Sequence, residues 1–421
     1  MEFKKYKLNE VLTLNPTLKL KKNTIAKKIA MENIKEYQKK IDSYTYSEFK
    51  SGSKFMNGDT LLARITPCLE NGKTAYVDIL DENEIAFGST EFFVLRPKDN
   101  LMDSHFLYYL MRTNELRNTI IKSMTGTSGR QRAQKESILE YEFCLPSLKA
   151  QIAIAKLLKN LDDKIETNKK IIANLEELSQ TLFKRWFVDF EFPDENGNPY
   201  KSSGGEMVDS ELGEIPERWE VVKLKDIVYQ KKDTFNPKKS NELKVLHFSL
   251  PAFDSSQNPV IDDVNAIKSN KWIIDENCIL FSKMNPSTRR IWLTSNDGKY
   301  LNVASSEFVV LKSDNSYKNA FIYNICTSDK FSEFLNSNTT GSTNSRQRVK
   351  PDIAISYKLA FHNETSMLFS NKVEPYLEKI KVIRNENQKL AELRDTLLPK
   401  LMSGEIEIPD DIEVNEDELS I

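Results

Sequence analysis

Two short loops carry the residue types best suited to contact with a polyanion. Thr125 to Gly129 runs directly into Arg130-Gln131-Arg132, and Thr340 to Ser345 runs into Arg346-Gln347-Arg348. Loop amides and hydroxyls bond phosphate oxygens, while Arg and Gln can also bond base edges in pairs. Thr127, Ser128, Arg130, Gln131 and Arg132 are therefore candidate DNA contacts, as are Ser342, Thr343, Arg346, Gln347 and Arg348. One such loop alone would read as a solvated turn; its recurrence in both halves makes it a candidate. Arg64 with Thr66, and Lys283 with Asn285, Arg289 and Arg290, follow equivalent strand-like segments and form a second rank. Arg289-Arg290 reads equally well as a solvated pair.

Catalytic chemistry is harder to assemble. Ser89-Thr90-Glu91-Phe92 and Ser305-Ser306-Glu307-Phe308 offer two carboxylates, which would suit acid–base work only if brought together. They lie in equivalent strands of separate halves, so the expected role is structural: capping a turn or pairing an arginine. Asn198-Pro199-Tyr200 resembles an amino-methyltransferase motif but lacks one of its prolines and sits among acidic residues, so it reads as a turn. There is no Gly-x-x-x-x-Gly-Lys-Ser/Thr loop and no clustered Asp, Glu and Lys set of a nuclease. His105, His247 and His362 are isolated, and Cys68, Cys144, Cys278 and Cys326 are widely spaced. This disfavours a metal site, a His-based relay and a disulfide framework. The chain is expected to bind no metal or cofactor, to catalyse nothing, and to keep its thiols reduced and buried.

The elements that position the loops are read from a repeat. Tyr6-Lys7-Leu8-Asn9-Glu10-Val11 is echoed by Val222-Lys223-Leu224-Lys225-Asp226-Ile227, Ser89 to Leu95 by Ser305 to Leu311, and Arg130 to Arg132 by Arg346 to Arg348, all at an offset of about 216 residues. Between these anchors the halves diverge, which suits two modules that read different things. Within each half the class is α+β. Strands are expected at Thr60 to Ile65, Glu91 to Leu95, Glu140 to Leu145 and Ile353 to Phe361, with helical periodicity from Ser104 to Ile121.

From Leu148 to Phe187 no Gly or Pro occurs, and apolar positions alternate four and three through Ile154, Leu158, Leu161, Ile165, Asn168, Ile172, Leu175, Ser179 and Leu182. The second half repeats the pattern from Phe369 to Leu401, with a bend or broken turn expected at Pro375. Two helices pairing antiparallel keep a constant sum of facing residue numbers. A sum of 555 sets Asn168 opposite Asn387, Ile172 opposite Ile383 and Ser179 opposite Tyr376, and leaves Phe369 beyond the paired region. Shifting by a heptad would leave each amide against an apolar group, so Asn168 and Asn387 are the expected register residues.

The expected organisation is a recognition domain at 1–147, a helix at 148–187, an acidic and mobile turn-rich linker at 188–220, a second recognition domain at 221–363, a second helix at 364–404 and an acidic tail at 405–421. The net charge of -2 hides a segregation: the tail holds eight acidic residues and no basic ones, and Asp189 to Glu220 holds ten acidic against two basic. The rest of the chain is strongly basic, a suitable footprint for nucleic acid. Like charge from Glu405 onward predicts a disordered, unpacked tail. Without an apolar run of membrane length or a signal-peptide pattern, the expected location is the cytoplasm.

Three quotations carry a family resemblance: Leu145-Pro146-Ser147-Leu148 with Gln151 and Leu161-Asp162; Gly204-Gly205-Glu206-Met207 with Ile215-Pro216-Glu217-Arg218-Trp219; and Leu393-Arg394-Asp395-Thr396-Leu397-Leu398-Pro399-Lys400-Leu401-Met402-Ser403-Gly404. With these the chain resembles the specificity subunits of Type I restriction-modification systems along nearly its whole length. One departure is His362-Asn363-Glu364-Thr365-Ser366, which replaces the Leu-Pro-x-Leu opening of the first helix. The resemblance implies that each recognition domain reads one half of a split sequence in double-stranded DNA. It further implies two methyltransferase subunits docked on the helices and restriction subunits beside them, these partners using S-adenosylmethionine, ATP and magnesium. A coiled-coil adaptor with protein-binding ends, and an enzyme with an unrecognised site, are the competing readings. DNA binding and activity without partners, respectively, discriminate them.

Overall fold

The computed structural model describes residues 3–127, 129–275, 277–294, 298–313, 315, 318–341 and 347–408. It divides into two compact units, Met1–Glu166 with Lys389–Ile421, and Thr167–Gln388. The long helices Leu148–Phe187 and Asn363–Ser403 contribute a stretch to each.

Both units repeat one α+β plan. In the first, strand Phe3–Lys7 pairs antiparallel with Glu142–Pro146. A four-stranded sheet follows in the order Leu12–Leu14, Phe92–Pro97, Thr60–Ala63, Thr74–Tyr76, and a second sheet runs Thr45–Glu48, Ile25–Ile29, Ala86–Gly88, Ser53–Phe55. In the second unit Glu220–Lys223 pairs with Lys358–Phe361. Its first sheet runs Tyr229–Gln230, Phe308–Lys312, Ile279–Ser282, Ile291–Leu293. Its other sheet has five strands, and in both units that other sheet contains a single parallel pair, Ile25–Ile29 with Ala86–Gly88 and Lys244–Phe248 with Leu301–Ser305.

Alternation explains why the central strands are apolar throughout. Successive side chains of a strand point to opposite faces, and here each face has its own core. Leu62, Phe93 and Leu95 join the helical core of the first unit, while Leu61, Phe92 and Val94 join the core of its other sheet. Ile279, Phe281, Val309 and Leu311 divide from Cys278, Leu280, Phe308 and Val310 in the same manner.

Several expectations need correction. Ser104 to Ile121 is two helices, Ser104–Arg112 and Asn114–Lys122, because Thr113 is extended and donates its hydroxyl to the Leu110 carbonyl. Ile353 to Phe361 opens with a helical turn, Pro351–Ala354, before the strand Lys358–Phe361. Proline favours the first helical position. The 188–220 linker is folded onto the second unit: Phe190, Phe192 and Trp219 are buried, with Tyr200 stacked on Phe192 at 4.7 Å. Its aromatic rings bury more surface than its turn residues suggest. Only Cys278 and Cys326 are buried, whereas Cys68 is half-buried and Cys144 exposed on the outer side of its strand.

The tail also begins differently. Ile406-Glu407-Ile408 follows the second helix as Phe190-Glu191-Phe192 follows the first, again 216 residues apart. Ile406 and Ile408 pack against the core that holds Leu398 and Leu401, and the Ile406 N–H donates to the Lys400 carbonyl at 3.1 Å. Gly404, at φ +76°, lets the Phe3 ring approach to where a Cβ would lie 2.6 Å away. The rest of the acidic tail, 409–421, lies outside the described residues.

The helices run antiparallel within each unit. In the first, Ile154 and Leu158 share a core with Leu398 and Leu401, and buried Asp162 accepts from Arg394 Nη1 at 2.6 Å and Tyr109 Oη at 2.7 Å. In the second, Asn168 Nδ2 donates to Asn387 Oδ1 and Glu386 Oε2, both at 2.9 Å, and Arg384 Nη2 donates to Glu176 at 2.6 Å. Ser179 gives its hydroxyl to Asn324 Oδ1 at 2.7 Å. Phe369 is not left over: it lies against Trp186 and Phe183 at ring distances of 5.8 and 5.9 Å. Helix Asn363–Ser403 passes unbroken through Pro375, its path held by buried Phe369, Val373, Leu377 and Ile380. Burial of four such side chains exceeds the roughly 3 kcal/mol cost of one helical proline.

The helix starts explain the unmatched sequence there. Ser147 Oγ accepts from the Ala150 N–H at 3.4 Å, and buried Gln151 donates to the carbonyls of Leu101 and Pro146. In the second helix His362 Nδ1 takes the capping place, accepting from the Thr365 N–H at 3.4 Å.

Candidate nucleic-acid interface

The first candidate loop is rooted by five backbone hydrogen bonds. Thr125 and Arg132 exchange N–H to carbonyl bonds at 3.0 and 2.9 Å, the Thr66 N–H donates to Gln131 O at 3.0 Å, Ala133 to Arg64 O at 2.8 Å and Arg64 to Glu91 O at 2.9 Å. The second unit repeats every one. Thr340 and Arg348 exchange bonds at 2.8 and 2.9 Å, Asn285 donates to Gln347 O at 2.9 Å, Val349 to Lys283 O and Lys283 to Glu307 O, both at 3.0 Å. Each loop turns on a glycine of positive φ, Gly126 at +128° and Gly341 at +131°. At Gly126 a Cβ would meet the Arg130 carbonyl oxygen at 3.0 Å.

Side chains reinforce the root. Arg132 grips Glu91 with Nε to Oε2 at 2.9 Å and Nη2 to Oε1 at 2.6 Å. Arg348 grips Glu307 with Nε to Oε2 and Nη2 to Oε1, both at 3.1 Å. The hydrogen bond from Arg132 holds the Glu91 carboxyl below the usual carboxylate range, and the carboxylates raise the pKa of both arginines further. Arg64 adds a third charge, its Nε 3.9 Å from Glu91 and its guanidinium 4.9 Å above the Phe93 ring.

The sequence candidates thus fall into groups. Arg130 and Thr127 are exposed and Gln131 and Gln347 half-buried; none of these four side chains has a partner among the described residues. Lys283 is half-buried beside the second loop. Thr66 Oγ1 and Asn285 Oδ1, at equivalent places, are buried atoms without a hydrogen-bond partner among the described residues. Arg132 and Arg348 are part-exposed but engaged with their glutamates. Arg289 pairs with Asp329 and the Thr327 carbonyl, and Arg290 pairs with both oxygens of Asp254 at 2.6 and 2.9 Å, so these two also face carboxylates of their own unit. Ser128, Ser342, Thr343 and Arg346 lie outside the described residues.

Glu91 and Glu307 take the arginine-pairing role expected of them, each with the last arginine of its own loop. The spacing identifies the partner: each stands 41 residues before its arginine. Among the described residues no helix is long and apolar enough to cross a membrane, and no group of three or more His, Cys, Asp or Glu could hold a metal ion.

Residues 1–177 match the family described as Type I restriction modification DNA specificity domain. The specificity subunit of the Type I restriction enzyme MjaIX of Methanocaldococcus jannaschii is 30% identical over 324 residues, covering 74% of this chain and 71% of that protein. The chain belongs to the Type I restriction-modification specificity subunits. Another specificity subunit, that of HindI from Haemophilus influenzae, is 26% identical over 412 residues, covering 83% of this chain and 86% of its own length. The fold agrees with the crystal structure of the Type I S subunit from M. genitalium, at a TM-score of 0.54, 16% identity and 96% coverage of each chain.

Proposed function

We propose that this specificity subunit reads a split sequence in double-stranded DNA, one part per repeat, and carries no catalytic site of its own. The long helices would seat two methyltransferase subunits and, with them, restriction subunits. S-adenosylmethionine, ATP and magnesium would belong to those partners. An adenine to be methylated must leave the base stack, which is work for the partner and not for a reading loop. The observation that carries this reading is the doubled loop root: the same five backbone bonds present Arg130 and Gln131 in one unit and Gln347 in the other. Part-exposed Arg and Gln side chains without internal partners are the groups that bond base edges and phosphates.

The test is the map of methylated adenines in cells carrying the chain. The expected motif has two fixed parts around an unspecified spacer, and exchanging residues 1–147 for those of a relative changes one part only. A change in both parts would overturn independent reading. Arg130→Ala is expected to cost about 1–3 kcal/mol and relax one position if it reads a base, or to lower the salt slope by about one if it touches phosphate.

A further inference from the structure

We infer that Glu91 and Glu307 are positioning residues for DNA reading. Each carboxylate latches the last arginine of its loop to the neighbouring strand and so determines which loop side chains are left to face DNA. This rests on the reading under Proposed function and adds to it a division of labour inside each Arg-Gln-Arg triplet.

Three arms meet at Glu91. Its carbonyl accepts from the Arg64 N–H, its carboxylate accepts from Arg132 Nε and Nη2, and Arg132 closes the loop through its paired bonds to Thr125. Glu307, Lys283, Arg348 and Thr340 make the same junction in the second unit. The two junctions recur although the sequences between them differ, and both keep the 41-residue separation of carboxylate and guanidinium. An ionised carboxylate beside a DNA-facing loop would repel phosphate unless its charge were matched. Here it is matched by an arginine whose own charge is thereby withdrawn from the backbone contacts. In the first loop Arg130 then carries the cation that remains.

Part-exposed ion pairs of this kind add little to global stability; the Glu91 side chain is 23% exposed and that of Arg132 42%. Removing a latch should therefore spare the fold and appear in discrimination. Freed Arg132 would add one phosphate contact, so affinity for random DNA should rise and its salt slope steepen by about one. Selectivity should fall at the same time. A merely structural role would not move these two quantities in opposite directions.

The experiment maps methylated adenines in cells expressing the chain with a methyltransferase subunit of the same genome. It compares wild type with Glu91→Gln, Glu91→Ala, Glu307→Ala and the swap of Glu91→Arg with Arg132→Glu, and melting curves of each purified complex accompany the maps. Glu91→Ala is expected to relax only the motif part read by the first repeat, by on the order of tenfold in preference over one-base variants. Glu307→Ala should do so only in the other part, and the swap should recover most of the loss. Unchanged motifs in both alanine variants would overturn the latch, as would equal losses in both parts accompanied by lower melting temperatures in Glu91→Gln and Glu91→Ala alike. A wild-type map without a split motif would remove the parent reading, and the latch with it.

Discussion

In the first unit Asp162, 5% exposed, is enclosed by Tyr109, Arg394 and Arg112, with Arg394 at 2.6 Å and Arg112 at 3.9 Å. In the second unit the same helices meet through a hydrogen bond between the Asn168 and Asn387 amides, and Phe183, Phe187 and Phe369 gather around Phe321 of helix Asn319–Thr327, with rings 4.6 to 6.4 Å apart. One topology is therefore held by two kinds of energy. A buried carboxylate is tolerable only while its cations remain, whereas an amide pair fixes alignment at small cost and leaves stability to the rings. Burial pushes the Tyr108 hydroxyl up to about 12 and raises Tyr109 further, so both stay neutral: Tyr109 donates to the carboxylate, and Tyr108 accepts from Arg112 Nη1 at 3.2 Å.

The largest test of this contrast is Arg394→Ala. It leaves buried Asp162 with only the more distant Arg112 and is expected to destabilise the first unit by about 3–5 kcal/mol. The four tryptophans, Trp186, Trp219, Trp272 and Trp292, all belong to the second unit. The urea midpoint by tryptophan fluorescence should then lag behind that by far-ultraviolet circular dichroism, and an equal shift in both signals would erase the distinction between the units. Asn168→Leu alone should cost roughly 1–3 kcal/mol by leaving the Asn387 amide unmatched, and adding Asn387→Leu should recover most of it. A double variant as unstable as the single one would show that alignment is held elsewhere.

Truncation sharpens the comparison from the other end. Ending the chain after Gly404 removes Ile406 and Ile408 from the first core and should cost about 1–2 kcal/mol, whereas ending it after Ile408 should cost nothing measurable by thermal melting.

A separate effect is in pH. The His105 ring lies tilted over Tyr76 at 4.1 Å, and burial lowers its pKa to about 4, with Lys39 acting in the same direction. A histidine depressed in the fold contributes fully above its ordinary value near 6.5 and loses that contribution as pH falls towards 4. His247 is also lowered by burial, but Asp262 at 2.7 Å opposes the shift. The first unit should therefore weaken more steeply on acidification, and His105→Phe should flatten its profile in pH-dependent urea titrations.

Much of this was legible because it is periodic. The heptad spacing sets the two long helices, and the constant sum places Asn168 opposite Asn387, whose amides share a hydrogen bond. The repeat offset located both loops. What escaped is non-local. The turn residues of 193–205 mark bends, but nothing in their spacing says that Phe190, Phe192 and Trp219 close over one core. Dense acidic charge hid Ile406 and Ile408 at the head of the tail. Spacing likewise does not reveal a side chain's partners, and Arg132, Arg348, Arg289 and Arg290 each pair with a carboxylate of their own unit.

The loop roots have a consequence for descent. Their ten bonds join main-chain atoms and so make almost no demand on which side chains ride above them, beyond a glycine and one carboxylate–guanidinium pair in each unit. On the reading proposed above, substitutions among the riding residues would alter the recognised sequence one position at a time while leaving the roots in place. New specificities would then be reachable by gradual substitution above an unchanged root as well as by wholesale exchange of a half, with a folded protein at every step.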